Sequence, residues 1–152
     1  MKHLLTPFAA ILLSCSCKNF ELPKNWGKNF NITLYEGGGM NYESTTIYLS
    51  TDSCKYVRME DGKDDIKRFK LSAKEQEEVS AKLNSFNVGS IESIEQKGLA
   101  HDKETNRLCF YLNAKEQHCV ESGATININK KCREDFNNAY QYIIKLANEK
   151  SK

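Results

Sequence analysis

The sequence predicts an α+β domain: a twisted antiparallel sheet of about six strands with two helices packed on one face, in the order β-β-β-β-α-β-β-α. Three observations carry this. Four short runs rich in β-branched and aromatic residues follow one another between residues 30 and 71, separated by turn residues. A second pair of such runs lies at residues 108–112 and 117–120. Each group is followed by a stretch whose apolar residues recur at helical spacing.

Phe30-Asn31-Ile32-Thr33-Leu34-Tyr35 alternates apolar with polar or amphipathic residues, as a half-buried strand does. Gly37-Gly38-Gly39 ends it, because glycine is free of the steric bar on positive φ. Thr45-Thr46-Ile47-Tyr48-Leu49 reads as the second strand and Cys54-Lys55-Tyr56-Val57-Arg58-Met59 as the third. Asp61-Gly62 supplies a hairpin turn, and Ile66-Lys67-Arg68-Phe69-Lys70-Leu71 is the fourth. Short turns imply an antiparallel meander. Ser72-Ala73-Lys74-Glu75 is a capping box that opens a helix, with Val79, Leu83 and Phe86 on one stripe.

No period is clear in residues 88–106, where Ile91 and Ile94 are the apolar residues able to fold back. The clearest hairpin follows. A three-residue turn at Asn113-Ala114-Lys115 pairs Cys109 with Cys119, Leu108 with Val120 and Phe110 with His118. Leu108, Phe110, Leu112 and Val120 then share the core face, and both cysteines the other. Residues 124–128 offer a last short strand. Cys132, Phe136, Ala139, Tyr140, Ile143 and Ala147 recur on one face of the closing helix.

The first residues have a different character. Met1-Lys2-His3 precedes a short apolar run, Leu4 to Leu13, too short to span about 30 Å of hydrocarbon. Leu12-Leu13-Ser14-Cys15 resembles the bacterial lipobox. The resemblance implies that residues 1–14 are a lipoprotein signal peptide and that Cys15 carries a diacylglyceryl thioether at the mature N-terminus. Two or three acyl chains at about 0.8 kcal/mol per buried CH₂ anchor stably. Cys17 is the other candidate for lipidation, with less suitable preceding residues. Residues 15–28, with Pro23, Asn25 and Gly27, read as a tether, and residues 29–149 as a single domain. The implied location is the bacterial cell envelope, anchored by lipid at the outer membrane and facing the periplasm or the surface.

The chain has 6 cysteines. With Cys15 lipidated and Cys17 in the tether, Cys54, Cys109, Cys119 and Cys132 form an even set that suits an oxidising compartment. Four cysteines allow three connectivities. The hairpin favours Cys109 with Cys119, worth about 3 kcal/mol by loop entropy, which leaves Cys54 with Cys132.

Catalytic chemistry is not evident. His118 lies in a strand, where a structural role is expected. His101-Asp102-Lys103-Glu104 offers too few ligands for a zinc site. Residues 61–65 lack the ligand spacing of a calcium loop. Residues 37–39 do not open a helix, so the phosphate-cradle geometry is absent. No C-x-x-C or G-x-S-x-G pattern occurs. Acidic and basic residues nearly balance (Lys+Arg 22, Asp+Glu 20), with no basic block interleaved with aromatics, so nucleic acid is not an expected partner. The expectation is a non-enzyme without metal or cofactor.

The strand Ile32-Thr33-Leu34-Tyr35-Glu36-Gly37-Gly38-Gly39-Met40, the helix opening Leu71-Ser72-Ala73-Lys74-Glu75, and the segment from Asp102 to Leu112 together give an order and spacing. Over about residues 30–147 this resembles the emfourin-type small inhibitors of thermolysin-like metalloproteases. Emfourins are shorter, and this chain adds a longer meander and cysteines. The resemblance implies a small secreted domain that blocks a protein partner; no inhibitory residue carries over. The expected function is a membrane-anchored, non-catalytic protein-binding module, in the form of a protease inhibitor or an immunity-type protein. The alternative is a structural accessory lipoprotein of an envelope assembly. Expected contact residues lie in loops, which carry function on a rigid scaffold: Gly37, Gly38, Gly39 and Met40 in one, Ile91, Ile94, His101 and Asp102 in the other.

Overall fold

Alternation along the first strand organises the sheet. The computed structural model describes residues 20–39, 43–98 and 103–152. Strand β1 (Phe30–Gly37) buries Phe30, Ile32 and Leu34 on one face. It pairs antiparallel on one side with β2 (Ser44–Ser50) and on the other with β6 (Thr105–Leu112). Ile47 and Leu108 flank Leu34, and Leu49 and Phe110 flank Ile32, so apolar rows run across the strands. Strands β3 (Cys54–Glu60) and β4 (Lys63–Phe69) continue the sheet beyond β2, and β7 (Lys115–Ser122) closes it beyond β6. The order is β4-β3-β2-β1-β6-β7, six strands, all antiparallel neighbours.

Helix α1 (Ala73–Ser85) begins with the capping box read from the sequence: the Glu75 amide donates to Ser72 Oγ, and the Ser72 amide donates to Glu75 Oε2 at 2.7 Å. Helix α2 (Arg133–Lys150) buries Phe136, Ala139, Tyr140, Ile143 and Ala147. Both helices join the core formed by one face of the sheet. Lys150 pairs with Glu75, joining the last turn of α2 to the first turn of α1, and Asn87 donates to Asp135 near the opposite ends. The helices therefore run antiparallel. The Lys150 ammonium, then the Ser72 amide and hydroxyl, hold the Glu75 carboxyl down at about 2. Its contribution to stability is present above the ordinary value of 4.5 and is lost as pH falls toward 2.

Several elements differ from the sequence reading. The fourth strand starts at Lys63, directly after the Asp61-Gly62 turn, and ends at Phe69. It is an edge strand exposed along nearly its whole length, Ile66 included. Residues 88–106 are not patternless. A 3₁₀ turn at Val88–Ser90 buries Val88, and β5 (Ser93–Glu95) pairs with β8 (Ile126–Ile128) in a separate two-stranded sheet.

The β6–β7 hairpin has the expected pairs, Cys109 with Cys119, Leu108 with Val120 and Phe110 with His118, reached by a different route. The turn contains only Asn113 and Ala114, both at positive φ (53° and 60°), and a bulge beside Phe110 and Tyr111 absorbs the extra residue. Leu112 has the parity of the core face but is the last residue of the strand, beside the turn, and is 41% exposed rather than buried.

The largest correction concerns the tether. Within the span read as 15–28, Leu22 and Trp26 are buried and Phe20 packs against the same core. The Leu22 amide donates to Asn84 Oδ1 (2.9 Å), Asn84 Nδ2 donates to the Leu22 carbonyl (3.1 Å), and Trp26 Nε1 donates to Ser80 Oγ (2.7 Å). These bonds satisfy α1 side chains and hold the strap on the helix. A side chain at Gly89 would collide with the Phe20 carbonyl, so glycine is what lets the strap pass.

Two outcomes follow from this packing. Leu22→Ala lowers stability by about 2–4 kcal/mol, read as a reduced urea midpoint from Trp26 fluorescence; a tether residue would leave the midpoint in place. Ala114 occupies a left-handed conformation that strains an L side chain, so Ala114→Gly raises stability by roughly 1 kcal/mol in the same assay.

Candidate binding surface

Among the described residues, no helix covers the sheet face opposite α1 and α2. Strand alternation places Thr33, Tyr35, Thr46, Tyr48, Arg107, Cys109 and Tyr111 on it, and β3 and β4 extend it with the cross-strand pair Val57 and Ile66. The three tyrosines are half-buried. Thr33, Tyr35, Thr46, Arg107, Cys109 and Tyr111 line a shallow depression of about 330 Å³. Arg107 braces the margin: its guanidinium lies 3.5 Å from Glu116 and 3.6 Å from Glu121, and Nε donates to Cys119 Sγ at 3.2 Å.

One end of the sheet carries Gly37, Gly38 and Gly39. Gly37 pairs with both Ser44 and Thr105, the first residues of β2 and β6. A side chain on Gly37 would strike Ser44 and the Tyr35 hydroxyl, which makes this end continuous with the open face. Gly38 and Gly39 are exposed at positive φ. On the helix side of the same end Glu36, Glu43, Glu104 and Arg58 line an acidic depression of about 280 Å³. Under this end the Tyr140 hydroxyl donates to Asn106 Oδ1 at 3.0 Å; burial first, then the Glu36 charge and hydrogen bond, push its pKa well up.

Of the other candidate residues, Ile94 is exposed on β5, as a contact residue would be. Ile91 is not: it is 1% exposed and belongs to the core, because the 3₁₀ turn before it directs the chain inward. Met40, His101, Asp102, Cys15 and Cys17 lie outside the described residues.

Cys109 and Cys119 are joined as a disulfide. Cys54 and Cys132 are not joined to each other; both are free thiols. Cys54 lies beside the Leu71 backbone, just before α1, and Cys132 beside the Ser90 carbonyl, just after it. A 13-residue helix between those points is roughly 20 Å long, far beyond disulfide reach. Burial pushes the Cys54 thiol pKa up. Cys109, Glu116 and Cys119 are the one group among the described residues with three potential metal ligands close together, within 4.8 Å, but both sulfurs are already committed to the disulfide.

His118 occupies the structural place expected of it. Its ring lies 6.3 Å from Phe110 and 6.0 Å from Phe20, centroid to centroid. Nε2 is sealed from solvent without a well-formed hydrogen bond. Burial lowers its pKa; the Val88 and Ile91 carbonyls and Glu116 offset this only in part.

The open face was not singled out from the sequence. Parity along β1 assigns Thr33 and Tyr35 to one face; that Arg107, Cys109 and Tyr111 join them depends on β1 pairing with β6. Compared with protein-family models, curated proteins and solved structures, the chain matches none. No helix among the described residues is long and apolar enough to cross a membrane.

The depressed His118 pKa sets a pH dependence. The folded state keeps the ring neutral, while the unfolded chain takes up a proton below the ordinary value of 6.5. Stability therefore falls as pH drops below that value. Urea midpoints measured between pH 7.5 and pH 5.5 decline in the native protein, and the decline is shallower in His118→Gln.

Proposed function

We propose that the chain is a bacterial envelope lipoprotein, anchored through Cys15 at the outer membrane, whose domain is a non-catalytic module that binds another protein. Blocking a protease and neutralising a toxin as an immunity-type protein are its two specific forms. The observation that supports binding is the one-sided cover of the sheet: two helices pack on one face, and the other presents Tyr35, Tyr48, Tyr111 and Arg107. Tyrosine and arginine are the residue types that anchor protein interfaces, and a six-stranded sheet holds them in fixed positions. The acidic depression at the Gly37 end opens on the helix side of the sheet and is separate from this surface.

The packed strap bears on the anchor. Phe20 already belongs to the domain, so the five residue-to-residue steps from Cys15 to Phe20 give a reach of at most roughly 17 Å. A lipid on Cys15 holds the domain close to the bilayer and limits its partners to those at the membrane. The structural alternative needs a docking edge. The free edge is β4, whose Lys63, Asp64, Asp65, Lys67 and Arg68 oppose strand addition.

Two measurements test this reading. Intact mass of membrane-extracted protein shows the lipid on Cys15, and Cys15→Ser releases the protein from the membrane. Crosslinking in intact cells captures one protein partner, and Tyr48→Ala with Tyr111→Ala lowers its yield about tenfold or more, the scale of a lost interface hot spot. Unchanged capture by the double variant rules out the open face; unchanged capture after glycine-serine replacement of residues 37–40 rules out that loop.

A further inference from the structure

We propose that Cys109 and Cys119 form a thiol–disulfide exchange site on the open face, with Cys119 as the reacting sulfur, Cys109 as the resolving sulfur and Arg107 as the residue that stabilises the Cys119 thiolate. The substrates are a solvent-reachable dithiol in one direction and a solvent-reachable disulfide in the other. This goes beyond a binding role and does not depend on it.

The position of the bridge is the first argument. Cys109 and Cys119 face each other on strands that a two-residue turn already joins, and the ladder continues on both sides of them. The ladder on both sides holds the two strands together when the bridge opens, so its sulfurs can exchange without loss of the sheet. Access is the second. Among the described residues no helix covers this face, Cys119 lies half-exposed on the outermost strand of the sheet, and Cys109 is 2% exposed one strand further in. One reachable sulfur backed by one sheltered sulfur is the division of labour that exchange requires. Charge is the third. Arg107 Nε donates to Cys119 Sγ at 3.2 Å; the guanidinium also pairs with Glu121 and with Glu116, whose carboxylate lies within 4.8 Å of both sulfurs and offsets part of its charge. A cation beside a sulfur favours the thiolate, which is both the attacking form and the better leaving group. Cys54 is buried on the helix-covered side of the sheet and takes no part.

The chemistry balances without a cofactor. A thiolate of the substrate dithiol attacks Cys119 Sγ, the Cys109–Cys119 bond breaks, and Cys109 leaves as a thiolate that takes up a proton. The second thiol of the substrate, as thiolate, attacks the substrate sulfur of the mixed disulfide. Cys119 departs as a thiolate beside Arg107, and the substrate leaves as a disulfide. Two electrons pass from the substrate dithiol to the bridge. In reverse, the Cys119 thiolate attacks a substrate disulfide and Cys109 resolves the mixed disulfide.

The test uses the full chain with glutathione redox buffers as the probe, thiol alkylation, and peptide mass mapping to separate this pair from the other cysteines. The bridge opens and re-forms while the circular dichroism of the sheet is unchanged. Cys109→Ser accumulates a glutathione adduct on Cys119, and Cys119→Ser leaves Cys109 slow to react. In the reduced protein, alkylation of Cys119 follows a thiolate midpoint below the ordinary cysteine value of about 8.5. Arg107→Gln moves that midpoint upward and slows alkylation at pH 7 by roughly fivefold or more, and Arg107→Lys recovers part of the rate. Opening of the bridge only in step with unfolding in urea overturns the proposal. So does glutathione on Cys109 as readily as on Cys119, or an alkylation pH profile that Arg107→Gln leaves in place. Should Arg107→Gln fail to fold, the two cysteine variants decide the question alone.

Discussion

The register of β1 is the constraint on which the rest of the molecule depends. It is paired on both sides, so Ile32 and Leu34 fix at once which residues of β2 and β6 share their face: Leu49 and Ile47 on one side, Phe110 and Leu108 on the other. Those side chains are fully buried under the helices. A slip of one residue would turn Thr33 and Tyr35 toward the helices and expose Ile32 and Leu34. Burying a Leu or Ile side chain is worth about 1.5–3 kcal/mol, so the loss over these rows is large on the scale of a domain's net stability. The register that buries the apolar row also presents the tyrosines and the Cys109–Cys119 bridge on the other side.

The helix layer is closed by its own connections. Glu75 with Lys150 and Asn87 with Asp135 tie α1 and α2 at opposite ends, and Phe86 meets Tyr142 between them. The strap from Phe20 to Trp26 closes the other flank of α1. Its hydrogen bonds go to Ser80, which is buried, and Asn84, while buried Gln76 donates to the Leu71 and Thr51 carbonyls. Polar groups on the inner side of α1 are thus partnered, which is what makes their burial tolerable. The result is a firm backing for an open sheet, the arrangement that lets exposed side chains hold position without a bound ligand.

The open face combines two properties that a purely structural face does not need. Its aromatic residues suit contact with another surface, and its edge carries a sulfur pair with a cation held at one sulfur. Arg107 belongs to both, since it lines the central depression and donates to Cys119. A partner seated on the tyrosines would meet half-exposed Cys119 at the same time.

What the sequence determined by itself was local. Alternation marked the strands, the 3.6-residue stripe of Phe136, Ala139, Tyr140, Ile143 and Ala147 marked α2, and Ser72 with Glu75 marked the start of α1. An assumed three-residue turn at Asn113-Ala114-Lys115 paired Cys109 with Cys119; the chain reaches the same pairing by a two-residue turn and a bulge, which was not visible in the sequence. Tertiary structure decided whatever depends on which distant segment lies opposite. Ile91 and Leu22 sit in stretches without a period, and their burial follows from docking against elements far along the chain. Cys54 and Cys132 were matched by count and are kept apart by the length of α1. The pairing of β1 with β6 joins residues about seventy positions apart, and it alone brings Arg107, Cys109 and Tyr111 to the face of Tyr35. A period is a property of neighbouring residues; a surface is a property of strands that the chain must travel far to bring together.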